Sequence, residues 1–137
     1  MGVILDSSVV IAAERRGQSV RQILEYILSA HGPTEVGLSV VTIAELVHGA
    51  YQAKGETAKR RRLDFIQELC RDVPVYPVTL EIARRVGQIE GQEEARGIRL
   101  PFEDLIIAVT ALHLGYNVAT ANVRHFRLIP GLTVVEL

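Results

Sequence analysis

The chain has 137 residues, 48% of them apolar, enough to bury one sizeable core, and one domain over residues 1–137 is expected. With 15 Lys and Arg against 16 Asp and Glu the formal charge is -1, which excludes nucleic-acid binding driven by bulk charge, so any such site must be local. Cys70 is the only cysteine, which excludes an internal disulfide framework and suits a reducing compartment. The N-terminus lacks a basic region, Asp6 interrupts its first apolar run, and no stretch reaches the roughly 18 uninterrupted apolar residues of a membrane span. A cytoplasmic protein with no membrane contact is expected.

In chain order, "VILDSSVVIAAERRG" opens with a β-branched run, Val3 to Leu5, then Asp6 and two serines, then small apolar residues, and reads as buried strand, turn and helix. "SVRQILEYILSAH" spaces Val20, Ile23, Leu24, Ile27 and Leu28 as one face of an amphipathic helix, which Gly32 and Pro33 end. Val36 to Val41 reads as a second strand. "TIAELVHGAYQAKG" reads as a helix whose Thr42 and Glu45 have capping-box spacing. "ETAKRRRLDFIQELCRD" puts Leu63, Ile66, Leu69 and Cys70 on one helical face, with Lys59, Arg60, Arg61 and Arg62 clustered at its start. "VPVYPV" reads as a third strand at a sheet edge, because of its prolines. "TLEIARRVGQIEGQEEARG" is a helix weakened by Gly87 and Gly91, and "LPFEDLIIAVTALHLG" another, capped by Gly115. "YNVAT" gives a fourth strand, "ANVRHFRLIPG" a loop, and "LTVVEL" a fifth strand. Strands alternating with crossover helices imply an α/β fold with a parallel sheet covered on both faces.

In such a sheet every strand ends, and every returning helix starts, at one edge, where open parallel sheets bind ligands. Asp6 ends the first strand, Glu45 lies in the first turn after the second, Asp104 opens the helix before the fourth, and Asn122 follows the fourth. Singly, each has an ordinary reading: Glu45 as half of a capping box, Glu103 and Asp104 as macrodipole partners, Asp6 and Asn122 as turn residues. Together they are harder to dismiss, because carboxylates about 5 Å apart repel by roughly 3 kcal/mol per pair at an effective dielectric near 20. A chain keeping such a cluster needs raised pKa values or a cation. Oxygen donors without cysteine or paired histidine favour Mg²⁺ or Mn²⁺ over Zn²⁺, and a hard cation in a carboxylate cup suits phosphodiester hydrolysis. Ser7, Ser8 and Thr120 could each add a hydroxyl there, or serve as caps and turn formers.

"VILDSS", "TIAELVHG", "LPFEDLIIAVTAL" and "VATANVRHFRLIPGLTVVEL", in that order, resemble the PIN domain of VapC-type toxins of toxin–antitoxin pairs, over essentially the whole chain. The resemblance implies a three-layer α/β/α sandwich with a central five-stranded parallel sheet. It also implies a Mg²⁺- or Mn²⁺-dependent endoribonuclease that is homodimeric and silenced by a cognate VapB-type antitoxin. By motif, Asp6, Glu45 and Asp104 fall on the family's acidic metal positions and Asn122 on its fourth catalytic position, where many members carry Asp. A catalytically silent module binding RNA or protein is the alternative that Asn122 motivates. Glu103 reads as a cap or as a group supporting the metal ligands, and His125 and Arg124 as contacts to phosphate or to metal-bound water, with Arg127 and Arg124 flanking the loop. The Glu45 and His48 pair has a di-iron spacing but occurs once in an α/β chain, so it is set aside. The "KRRR" run at 59–62 could meet RNA, an acidic partner or solvent.

Overall fold

The structure is a computed structural model and describes all 137 residues. Its elements are β1 (Gly2–Leu5), α1 (Ser7–Arg15), α2 (Val20–His31), β2 (Glu35–Ser39), α3 (Val40–Tyr51), α4 (Glu56–Asp72), β3 (Val75–Tyr76), α5 (Leu80–Ala95), α6 (Phe102–Leu114), β4 (Asn117–Thr120), α7 (Val123–Phe126) and β5 (Val134–Glu136). Five strands form one sheet in the order β3-β2-β1-β4-β5, and every pairing is parallel.

Side chains alternate across a strand, so adjacent residues of a central strand feed opposite faces. Val3 and Leu5 of β1 enter a core with Val10, Ile23, Leu38 and Leu69, whereas Ile4 enters a second core with Leu105, Ile107 and Phe126. The same parity divides Ala119 from Val118 on β4. Two cores on two faces make the expected three-layer sandwich. Close approach of rings to the sheet fixes Gly37, where a Cβ would stand 2.6 Å from the Tyr76 ring. Gly115, at φ 71°, ends α6 in the left-handed conformation expected of a helix cap.

Several local expectations are corrected. β2 stops at Ser39, not Val41: the Ser39 side chain accepts from the Val41 N–H and starts α3 at Val40. Thr42 is therefore inside the helix, its buried hydroxyl without a partner, and no Thr42–Glu45 capping box exists. A full capping box occurs instead at Ser19 and Gln22, opening α2. Leu28 is exposed at 56%, and Cys70 is exposed as well, because each lies past the edge of the helical stripe that reaches the core. α5 runs unbroken through Gly87 and Gly91. The expected third strand is reduced to two residues at the sheet edge. The segment read as a loop after β4 contains α7, pinned by buried Phe126.

Candidate active site

Strand order reverses beside β1: β2 and β3 extend to one side and β4 and β5 to the other. The carboxyl ends of β1 and β4 thus flank a switch point, the usual ligand crevice of an open parallel sheet. Asp6 follows β1 directly, and its N–H donates to the Ala119 carbonyl of β4 at 2.9 Å. Asp6 is 5% exposed, and its Oδ2 accepts from Ser8 Oγ at 2.7 Å and from Thr120 Oγ1 at 2.9 Å. Those hydroxyls lie 3.3 Å apart. Each also serves the next loop: the Ala121 N–H donates to Ser8 and the Asn122 N–H to Thr120. Ser8 and Thr120, foreseen as possible hydroxyl ligands, act here as a clamp on Asp6.

Glu45 reaches the same edge from α3. Its Oε2 accepts from Ser7 Oγ at 3.2 Å, while its Oε1 is buried without any hydrogen-bond partner. Desolvation raises the Glu45 pKa, the Ser7 hydrogen bond opposes that rise, and the charges of Asp6, Glu103 and Asp104 add to it. Asp104 stands in the first turn of α6. Desolvation raises its pKa too, helped by the charge of Asp6 and opposed by a hydrogen bond from His125, whose Nδ1 lies 3.2 Å from Asp104 Oδ2. Glu103 is exposed beside it and contributes through its charge. Asn122 and His125 are adjacent, with 3.2 Å between the amide nitrogen and Nδ1.

The structure thus brings Asp6, Ser7, Ser8, Glu45, Asp104, Thr120, Asn122 and His125 into one hydrogen-bonded region and leaves Arg124 and Arg127 exposed beside it. No three His, Cys, Asp or Glu side chains converge as a ready-made ligand group. Each carboxylate is instead turned toward a hydroxyl or imidazole partner. The donor set still suits a hard divalent cation: it is all oxygen, it is like-charged, and it includes one buried oxygen with nothing to bond.

Of the basic run, Lys59 pairs with Glu56 at 3.5 Å and sits 4.8 Å from the Tyr51 ring centroid, and Arg62 Nη1 donates to the Gly49 carbonyl at 3.0 Å. Only Arg60 and Arg61 are exposed there. Sequence reasoning missed the inward turn of Arg62, which also lines a cavity of about 100 Å³ shared with Glu14, Arg15 and Glu45. No motif marks it; a helix-periodicity count places Arg62 next to Leu63 at the edge of the buried face.

The model of the PIN domain matches residues 3–132. The chain belongs to the PIN-domain family. Among curated relatives, Ribonuclease VapC10 of Mycobacterium tuberculosis is 33% identical over 124 residues, covering 90% of this chain and 85% of that protein. Ribonuclease VapC1 of Rickettsia felis is 29% identical over 137 residues, covering 100% of this chain and 97% of that protein. This PIN domain is therefore of the VapC type. DNA-bound VapBC from Salmonella typhimurium superposes with a TM-score of 0.83 at 24% identity, over 99% of this chain and 98% of that one. VapBC-1 from nontypeable Haemophilus influenzae superposes at 0.82 and 25% identity, over 99% and 98%. The all-parallel five-stranded sandwich is the fold of these PIN proteins. No helix is long and apolar enough to cross a membrane.

Proposed function

We propose that this PIN domain is a divalent-metal-dependent endoribonuclease, the toxin half of a toxin–antitoxin pair, with Asp6, Glu45 and Asp104 as the ligands of Mg²⁺ or Mn²⁺. The observation that carries the reading is the buried, unpartnered Glu45 Oε1 at an edge where Asp6 and Asp104 raise the cost of its charge. The VapC relatives, named as ribonucleases, support the reaction class, and the VapBC complexes support a VapB-type antitoxin as partner. A homodimer and a cytoplasmic location complete the proposal.

A bound divalent cation supplies a lowered water pKa and charge stabilisation at a phosphodiester. The chain's own groups do the rest. Ser8 and Thr120 hold Asp6 in one rotamer by donating to the same oxygen. Ser7 turns Glu45 Oε2, leaving Oε1 for a ligand. Exposed Arg124 and Arg127 are suited to grip the RNA backbone by charge, the ordinary source of sequence-independent affinity.

Purified protein incubated with structured RNA is expected to cleave it with Mg²⁺ or Mn²⁺ and to stop when EDTA is added. Asp6→Asn and Asp104→Asn are expected to abolish cleavage while keeping the wild-type circular dichroism spectrum. Cleavage that survives Asp6→Asn, or wild-type protein that cleaves nothing with either metal, refutes the assignment. The latter outcome, with Mn²⁺ binding intact, would point to the silent RNA- or protein-binding module.

A further inference from the structure

His125 stands between two other residues of the edge, with Nδ1 3.2 Å from Asp104 Oδ2 and 3.2 Å from the amide nitrogen of Asn122. A neutral imidazole nitrogen carries a hydrogen or a lone pair, not both, and an ionised carboxylate only accepts. If the Asn122 amide donated to a bare Nδ1, two lone-pair atoms, Nδ1 and Asp104 Oδ2, would face each other at 3.2 Å. Both contacts become favourable when Nδ1 carries the hydrogen and the Asn122 amide is turned to present its oxygen, the single N–H being shared as a three-centre bond between Asp104 Oδ2 and that oxygen, each 3.2 Å away.

The backbone fits this arrangement. Asn122 occupies the N-cap position of α7, yet its side chain makes no capping bond and remains committed to His125. Its N–H is fixed to Thr120 Oγ1 at 2.9 Å, and Phe126 and Ile129, 1% and 3% exposed, anchor the turn that carries the imidazole. The backbone that carries the amide and the ring is thus held on both sides of the pair.

We propose that Asn122 and His125 form a relay that positions Asp104: Nδ1–H of His125 holds the carboxylate, Asn122 holds the ring, and Asn122 acts through His125 instead of ligating a metal itself. His125 and Asn122 are then positioning residues, and the carboxylate of Asp104 presents its other oxygen to the crevice. The relay deepens the metal-dependent reading above and rests on it for its consequence, but the hydrogen on Nδ1 does not depend on any metal.

The test has two arms on the full-length chain. Long-range ¹H–¹⁵N correlation of metal-free protein, at a pH where His125 is neutral, is expected to show Nδ1 protonated and Nε2 bare. Asn122→Ala is expected to shift that tautomer balance toward Nε2–H. A bare Nδ1 in the wild type overturns the relay, whether or not the protein binds metal. Calorimetric titration with Mn²⁺ is the second arm. His125→Ala is expected to weaken binding by about 10- to 100-fold, the usual cost of losing a partner that orients a ligand, and Asn122→Ala to weaken it in the same direction. The double variant should be no weaker than His125→Ala alone, within about twofold, because both act on one carboxylate. Additive losses, or an Asn122→Ala loss with an unaltered His125 tautomer, make Asn122 a direct ligand and refute the relay. Wild-type protein that binds no Mn²⁺ sinks the metal reading instead, and the tautomer still decides the relay.

Discussion

Thr120→Val removes one hydroxyl at nearly constant volume, so its effect isolates the clamp on Asp6. Thr120 is fully buried, donates to Asp6 Oδ2 at 2.9 Å and accepts from the Asn122 N–H at 2.9 Å. A hydrogen bond to a charged group contributes about 1.5–3 kcal/mol net, and a neutral one about 0.5–1.5 kcal/mol. Ser8 still donates to Asp6, and water can reach the partly buried Asn122 N–H, so the lower halves of both ranges apply, giving a loss of about 2–3 kcal/mol. For a domain of this size that is a fall in Tm of roughly 10 °C. Thr120→Ser keeps the hydroxyl and loses one buried methyl, so it should cost about 1 kcal/mol. Urea unfolding of the metal-free protein, followed by circular dichroism, measures both. Equal stability of Thr120→Val and wild type, within about 0.5 kcal/mol, would refute the claim that this hydroxyl stabilises a buried carboxylate.

Burial raises the pKa values of both Glu45 and Asp104, so the folded state holds these protons longer than the unfolded chain, and stability falls as pH rises from the ordinary carboxylate pKa through the raised folded values. Metal-free Asp104→Asn and Glu45→Gln should therefore be more stable than wild type at pH 7, the advantage disappearing below about pH 4; an advantage independent of pH in urea titrations contradicts the electrostatic account. Saturating Mn²⁺ at about 100 times its dissociation constant should stabilise the wild type by roughly 2.7 kcal/mol, with EDTA reversing the shift in differential scanning fluorimetry and Asp6→Asn showing none. Phe126→Ala empties a site 1% exposed beneath α7 and should cost about 3–5 kcal/mol in chemical denaturation; a loss under about 1 kcal/mol would mean α7 is not pinned by that ring.

Much of the frame could be read from the chain because parallel-sheet rules act over whole elements. The β-branched run at Val3 to Leu5 and the segment Asn117 to Thr120 are central strands whose two faces enter different cores, and the placement of Asp6 and Asp104 at one edge follows from direction alone. What could not be read are choices between near-equivalent local signals. In "LSVVTIAEL" both Ser39 and Thr42 are good caps, and two valines mimic a strand; the sheet decided by ending β2 at Ser39, opposite Tyr76 of β3. Likewise, Leu28 and Cys70 fit a helical stripe to within one residue, but the neighbouring elements cover only part of that stripe. The pairing of Ser7 with Glu45, and of His125 with Asp104, joins segments 38 and 21 residues apart. No spacing rule reaches that far, because such contacts depend on rotamers and helix tilt.

The three acids are held in different ways, and that difference bears on how the edge can work. Asp6 is fixed by its own backbone bond to β4 and by two hydroxyls from different elements, so its position is set when β1 and β4 pair. Glu45 projects from the second turn of α3, because that helix starts at Val40 and not at Thr42 as expected, and Asp104 from the first turn of α6; each keeps one side-chain partner, Ser7 and His125 respectively. A torsional adjustment of either side chain can bring its second oxygen to a ligand with Ser7 or His125 still in place and disturbs no strand, whereas Asp6 is tied to the joint between β1 and β4. Under the proposed metal reading, ligand binding is an adjustment of two helix-borne carboxylates around one that the sheet holds still, and burial together with the neighbouring acids already raises the pKa of those two.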